Sequence, residues 1–167
     1  MADNWGIMPF IDLPDMTMQA AEDCLAQTIP TRLLLVDQGS SAGTRERIDA
    51  WIDGRNLQIP GKPRVLCWHY LPKLPSLSAV WNRALAFVWE LGGTEALVVN
   101  NDVRLAPYTY VGLLGALNVS HNLFVSAVGV TQDQYDPATQ AHEPPYWYNE
   151  AKREVVERGG PDFSCYL

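Results

Sequence analysis

Cysteine is scarce: Cys24, Cys67 and Cys165 are the three in 167 residues, and none is spaced C-x-x-C. An odd, widely scattered set supports neither a disulfide framework nor a zinc pattern, so buried free thiols in a reducing compartment are expected. Histidine is as sparse, and His69, His121 and His142 form no pair at metal-ligand spacing. No apolar run approaches the roughly 18 residues a membrane span needs. The N-terminus carries Asp3, Asp12 and Asp15 and lacks the basic flank and apolar block of a leader, so a soluble, cytoplasmic protein is expected. Positive charge is also short, with 12 Lys and Arg against 19 Asp and Glu and a net charge of -7. That balance argues against a broad grip on nucleic acid, which needs clustered cations to displace counterions. Internal repeats and low-complexity tracts are missing, and the sequon Asn118-Val119-Ser120 reads as chance.

What remains is globular: 47% hydrophobic and 19% charged, with six Trp and seven Tyr. A chain of this length suits one domain, residues 1–167, with a substantial core. Strand-like and helix-period segments alternate. Ile7 to Ile11 reads as a first strand, followed by Met18, Ala21 and Leu25 on one helical stripe. Arg32 to Val36 is a second strand, and Ile48, Trp51 and Ile52 mark a helix expected to stop near Gly54. Val65 to Trp68 is a third strand, and Leu77, Trp81, Leu85 and Val88 trace a helix ended by Gly92-Gly93. A strand over Ala96 to Val99, a helix opened by Pro107 with Leu113, Leu114 and Leu117 inward, and a strand over Leu123 to Val128 follow. This alternation predicts an α/β, three-layer fold, a mostly parallel sheet with helices on both faces. From Thr131 to Asp162 the pattern fails, leaving a long aromatic and acidic connection with one helical turn expected near Ala151 to Glu157.

Two polar clusters stand at the ends of apolar runs. Asn100-Asn101-Asp102 follows Ala96-Leu97-Val98-Val99, a run that reads as a strand buried on both faces. Ligands of open α/β sheets bind at such C-terminal strand edges. One carboxylate flanked by two carboxamides offers hard oxygen ligands without accumulating negative charge, which suits a divalent cation already carrying phosphates. Asp37-Gln38-Gly39-Ser40-Ser41 ends the second strand, where a carboxylate can accept hydrogen bonds from a base or ribose and the glycine lets a ligand approach the backbone. Both clusters also read as ordinary turns and helix caps. Their recurrence at the same expected sheet edge outlines one pocket.

The string Leu34 to Ser41, the helical segment Trp81-Asn82-Arg83-Ala84-Leu85, and Val98 to Val103 with Pro107 resemble, in order and spacing, successive blocks of family 2 glycosyltransferases of the GT-A fold. The first is similar to the family's V-D-[DN]-G-S strand end, the second to its R-N-x-[AG] helix, and the third to the N-N-D-V form of its D-x-D metal motif. The likeness covers the chain to about Val130, with residues 1–130 as the nucleotide-binding part and 131–167 as an irregular acceptor-side segment. It implies that Asp37 contacts the base or ribose, that Asn100 or Asn101 contacts the ribose or the metal shell, and that Asp102 holds a Mg²⁺ or Mn²⁺ bridging the diphosphate of a nucleotide-sugar donor, UDP favoured. Pro9 and Phe10 fall where the family's first strand meets the base. Gln38 departs from the usual Asp or Asn, and Asn82-Arg83 reverses the usual Arg-Asn order, which leaves the contacts of both open.

The implied reaction is transfer of a sugar to an acceptor hydroxyl, inverting in most of the family, and it requires a general base near the acceptor. In the family that base is an Asp following a segment similar to Gly159-Gly160-Pro161-Asp162-Phe163-Ser164-Cys165-Tyr166-Leu167. The expectation is that it lies beyond Leu167, in a C-terminal part missing from this chain; Asp162, with Asp133, Asp136, Glu143 and Glu150, is the weaker alternative. Tyr146-Trp147-Tyr148 reads either as a sugar-stacking platform or as the anchor of a long loop. Two other readings stay open. A nucleotidyltransferase wants a basic, glycine-rich phosphate loop after the first strand, where Asp12-Leu13-Pro14-Asp15 is acidic; a non-catalytic nucleotide-binding or assembly module keeps the fold without the chemistry.

Overall fold

Strand β1 (Asp3–Phe10) is the hub of the sheet in the computed structural model, which describes residues 3–57, 64–70 and 72–120 and the strand segments 126–128, 147–149, 154–156 and 161–166. It pairs in parallel with β2 (Thr31–Asp37) on one side and with β4 (Gly93–Val99) on the other. Strand β3 (Val65–His69) continues in parallel beyond β2. Outside β4 lies β8 (Pro161–Tyr166), antiparallel to it, and then β5 (Ser126–Val128), giving the order β3-β2-β1-β4-β8-β5. Strands β6 (Trp147–Asn149) and β7 (Glu154–Val156) form a separate antiparallel pair.

The period-two alternation of the central strands builds the layers. Met8, Phe10, Leu33, Leu35, Leu97 and Val99 face one side; Trp5, Ile7, Leu34, Val36, Ala96 and Val98 face the other. The first face is covered by α1 (Pro14–Leu25), α2 (Ala42–Leu57) and α4 (Thr109–Ser120), the second by α3 (Leu77–Glu90). Handedness explains the split. The β1-to-β2-to-β3 crossovers march one way and carry their helices on one face, whereas the crossover from β3 to β4 travels back, so a right-handed connection puts α3 on the opposite face. Each helix buries a stripe at helical spacing: Thr17, Ala20, Ala21 and Cys24 in α1, Thr44, Ile48 and Ile52 in α2, and Val80, Ala84 and Val88 in α3. Pro14 opens α1, and the Ser76 side chain caps α3 by accepting from the Ala79 N–H at 3.1 Å.

Three expectations are corrected. Helix α2 runs through Gly54 to Leu57, because its last turn is tied down from outside: Arg55 pairs with Glu22 of α1, and the Asn56 side chain accepts from the Arg64 and Val65 N–H groups and donates to the Val65 carbonyl. These contacts outweigh the roughly 1 kcal/mol that an interior glycine costs. Where a helical turn was expected near Ala151 to Glu157, Glu154–Val156 is strand, paired with Trp147–Asn149. The valines and aromatics there favour an extended ladder. Pro161–Tyr166 is also strand. Gly93 opens β4 rather than closing α3; a Cβ there would lie 2.5 Å from Val88 Cγ1, so helix and strand approach as closely as glycine permits.

Candidate functional site at the β1–β4 switch point

All four parallel strands end at one edge, and register fixes what meets there. Phe10 lies opposite Asp37, and Asp37 opposite His69. Ile7 pairs with Val98, the last pair of the β1–β4 ladder, and the Asn100-Asn101-Asp102 turn follows directly on Val99 at the end of β4. Asp37 at the end of β2 and the triplet just after β4 therefore lie on the two strands that flank β1, whose axes are two strand spacings apart, about 10 Å. The direction of winding reverses between β1 and β4, the position at which open α/β sheets bind ligands.

The loop after β1 turns sharply. Asp12 and Leu13 both adopt left-handed backbone, with φ of 51° and 52°, which costs a side-chain-bearing residue roughly 1–2 kcal/mol. Contacts to the next strand end hold the turn. The Asp12 N–H donates to Ser40 Oγ at 2.8 Å, while Asp12 Oδ1 accepts from the Ser41 N–H at 2.9 Å and from Thr44 Oγ1 at 3.1 Å. The Ser41 backbone and side-chain bonds, with that from Thr44, hold the Asp12 carboxyl below its usual range. Gly39, at φ 90°, supplies the left-handed turn of the β2 loop.

Asp37 is fully buried, and its two oxygens are engaged: Oδ1 accepts from the Ser40 N–H at 2.8 Å, and Oδ2 lies 2.9 Å from His69 Nδ1. The other ring nitrogen, Nε2, lies 3.1 Å from Asp49 Oδ1 on α2. Burial pulls the imidazole toward the neutral form, but the bonds and charges of Asp37 and Asp49 outweigh it and raise its pKa. A base or ribose would have to displace His69 to reach the Asp37 carboxylate.

The opposite corner is open. Asp102 is exposed, and among the described residues no hydrogen bond or ion pair engages its carboxylate, while Asn100 and Asn101 are half-buried. The Asn101 amide donates to Thr17 Oγ1 of α1 at 3.0 Å. Downstream, the loop is pinned to the end of α1. Asp23 accepts from Arg104 Nε at 2.6 Å and from the Leu105 N–H at 3.1 Å. The Gln27 amide donates to the Ala106 carbonyl at 3.0 Å, and the Thr28 N–H donates to the Pro107 carbonyl at 3.0 Å. Among the described residues Asp102 belongs to no group of three or more converging His, Cys, Asp or Glu side chains. The donor set fits a hard cation that brings phosphate oxygens and water of its own.

The other anticipated residues fall as follows. Pro9 and Phe10 are buried, the Phe10 ring in the core, so Phe10 meets the edge through its backbone, whose carbonyl accepts from the Gln38 N–H at 2.8 Å. Asn82 and Arg83 are exposed on α3, across the sheet from the Asp37 side chain, and the Arg83 guanidinium lies 5.7 Å from the centre of the Tyr70 ring. Asp162 lies in β8, the strand that pairs antiparallel with β4 through Val98 and Val99. Asp133, Asp136, Glu143, Glu150 and Tyr146 lie outside the described residues. The structure adds Asp12, Asp49 and His69. A signal for the last was present: Cys67 and His69, two apart on a strand, share a face.

No protein-family model matches the chain, and no curated protein is similar to it in sequence. Solved structures are. A mannosyltransferase from Pyrobaculum calidifontis, PcManGT, determined in complex with GDP-Man and Mn²⁺, superposes with a TM-score of 0.62 at 15% identity over 86% of this chain. TarS from S. aureus, residues 1–349, superposes with a TM-score of 0.56 at 15% identity over 80% of this chain. The fold is GT-A-like. This chain spans 40% of the length of each of these two proteins. Among the described residues no helix is long and apolar enough to cross a membrane.

Proposed function

We propose that the chain carries the donor-binding half of a nucleotide-sugar-dependent glycosyltransferase. One observation supports the reading: at the switch point of a GT-A-like sheet, a hydrogen-bonded loop pair follows β1 and β2, and an exposed Asp102 follows β4 at the same sheet edge. The nucleoside diphosphate lies across the end of β1. Asp102, with Asn100 or Asn101 beside it, holds Mg²⁺ or Mn²⁺. When bound, that cation supplies Lewis-acid stabilisation of the departing diphosphate.

The chain's own residues position the donor. Asp12, Ser40, Ser41 and Thr44 lock the β1 and β2 loops together, and Asp37 fixes the Ser40 N–H from behind rather than touching the nucleoside. The pins from Asp23, Gln27 and Thr28 keep the Asp102 loop at one height. Asp162 is our candidate for the acceptor-side acid, since it stands on β8, the strand paired with β4, which delivers Asp102.

Calorimetric titration of the reduced chain with UDP, GDP and UDP-sugars, with and without Mn²⁺, tests the proposal. Binding that depends on Mn²⁺ and disappears in Asp102→Ala is expected, with unfolding stability unchanged because the side chain is exposed. An identical isotherm for the variant would refute the assignment. A non-catalytic nucleotide-binding module is the second reading; donor hydrolysis by the metal-loaded chain separates the two.

A further inference from the structure

Among the described residues one group of metal-ligating side chains converges, and it lies away from Asp102. A carboxylate oxygen of Asp49, Cys67 Sγ and a ring nitrogen of His69 all lie within 4.8 Å of one another. We propose that Asp49, Cys67 and His69 form a site for a borderline divalent cation, zinc fitting best, with the buried Asp37 carboxylate orienting the imidazole.

The geometry follows from the elements. Cys67 and His69 are two apart on β3 and project from the same face, the one that α2 covers. Asp49 stands on α2 beside Ile48, which anchors the helix in the core. Asp37 lies directly across the ladder from His69, at zero exposure, and takes Nδ1 at 2.9 Å. That leaves Nε2 facing Asp49 Oδ1 at 3.1 Å. A carboxylate on one imidazole nitrogen, holding the ring so that the other can ligate, is the recurring support of zinc-bound histidines. Bond lengths of about 2.0 Å to nitrogen or oxygen and about 2.3 Å to sulfur put tetrahedral ligand atoms roughly 3.3–3.5 Å apart. The nitrogen–oxygen pair, at 3.1 Å, is just inside that separation, and the sulfur, within 4.8 Å of both, would close up by at most about 1–1.5 Å to reach it.

The donor set selects the ion. Thiolate and imidazole favour zinc and its cobalt substitute over magnesium or manganese, which prefer oxygen alone. Three protein ligands leave a fourth position for water, and the Asp49 side chain, 54% exposed, leaves the site open to solvent. Uptake displaces the Cys67 thiol proton and the proton shared along Nε2, both released to solvent, so affinity rises with pH. Without metal, burial and the nearby carboxylates hold that thiol protonated, its pKa pushed up to about 12. The bound ion would tie the outermost parallel strand to α2, behind the carboxylate that fixes the Ser40 loop.

The test uses the full chain, reduced and freed of metal by chelator, titrated with Co²⁺ and then Zn²⁺. One equivalent of Co²⁺ should give a thiolate-to-cobalt charge-transfer band, Zn²⁺ should bleach it, and excess Mg²⁺ should leave it unchanged. Cys67→Ala should lack the band. Asp49→Asn, a change on an exposed helix surface that spares the core, should bind at least ~10-fold more weakly. A wild-type spectrum without the band would overturn the site, as would a band that survives in Cys67→Ala, displacement by Mg²⁺, or undiminished affinity in Asp49→Asn.

Discussion

Replacing Gln27 by methionine, a side chain of similar length and volume, should cost about 2–4 kcal/mol although no apolar contact is lost. Gln27 is 6% exposed and makes three bonds: its amide nitrogen donates to the Asp23 carbonyl at 2.9 Å and to the Ala106 carbonyl at 3.0 Å, and its oxygen accepts from the Tyr110 N–H at 2.9 Å. Tyr110 stands in the first turn of α4, where backbone N–H groups have no partner inside the helix. Methionine would leave that N–H orphaned while fully buried, a cost of about 1–3 kcal/mol. The two donated bonds add about 0.5–1.5 kcal/mol each, reduced because the Ala106 carbonyl keeps the Thr109 N–H at 3.0 Å and because methionine gains some apolar burial. With a urea m-value of about 2 kcal/mol/M, the unfolding midpoint should fall by roughly 1–2 M. Equilibrium urea unfolding followed by circular dichroism measures it. A midpoint shift below about 0.25 M would show that Gln27 does not tie the Asp102 loop to α1, and the account of how that loop keeps its height would fail.

Gly93→Ala should lower stability by about 1–3 kcal/mol, read by the same unfolding assay, because the new methyl meets Val88 Cγ1 at 2.5 Å and the Val88 carbonyl at 3.0 Å. His69 gives a pH signature in the chelated, metal-free chain. Its folded pKa lies above the ordinary imidazole value of about 6.5, so its stabilisation is complete below that pH and fades as pH rises through the folded pKa. The stability gap between the wild type and His69→Gln should therefore be widest on the acidic side and narrow toward pH 9; a gap that widens instead would refute the double carboxylate contact.

The layers were legible because the apolar runs are undiluted. Leu33 to Val36 and Ala96 to Val99, short and bounded by turn residues, read as strands covered on both faces, and the stripes through Ile48 and Val88 read as helices lying on them. The edge followed, since parallel strands deliver their last residues together: Asp37 stands opposite Phe10, and the Asn100-Asn101-Asp102 turn follows directly on β4, the strand on the other side of β1. The state of each carboxylate did not follow. Asp37 and Asp102 look alike in one dimension, but one is enclosed by His69 and Ser40 while the other is bare, a difference made by partners distant in sequence. Gly54 misled for the same reason: the bonds that carry α2 past it come from Glu22, Arg64 and Val65. The β6–β7 pair escaped because three-residue strands are too short for a period to register.

The place of β8 between β4 and β5 has a consequence for assembly. Strands β1 to β4 can pair as they are made, each joined to the next by a helix, but β4 and β5 are consecutive in the chain and yet not neighbours in the sheet. As the polypeptide leaves the ribosome, the outer rim of β4 stays bare until the segment around Phe163 is translated and slides into the gap, making this the slow, long-range closure of the fold. An unpaired apolar rim is a template for another molecule's strand. Aggregation during synthesis should therefore depend on how quickly that late strand arrives.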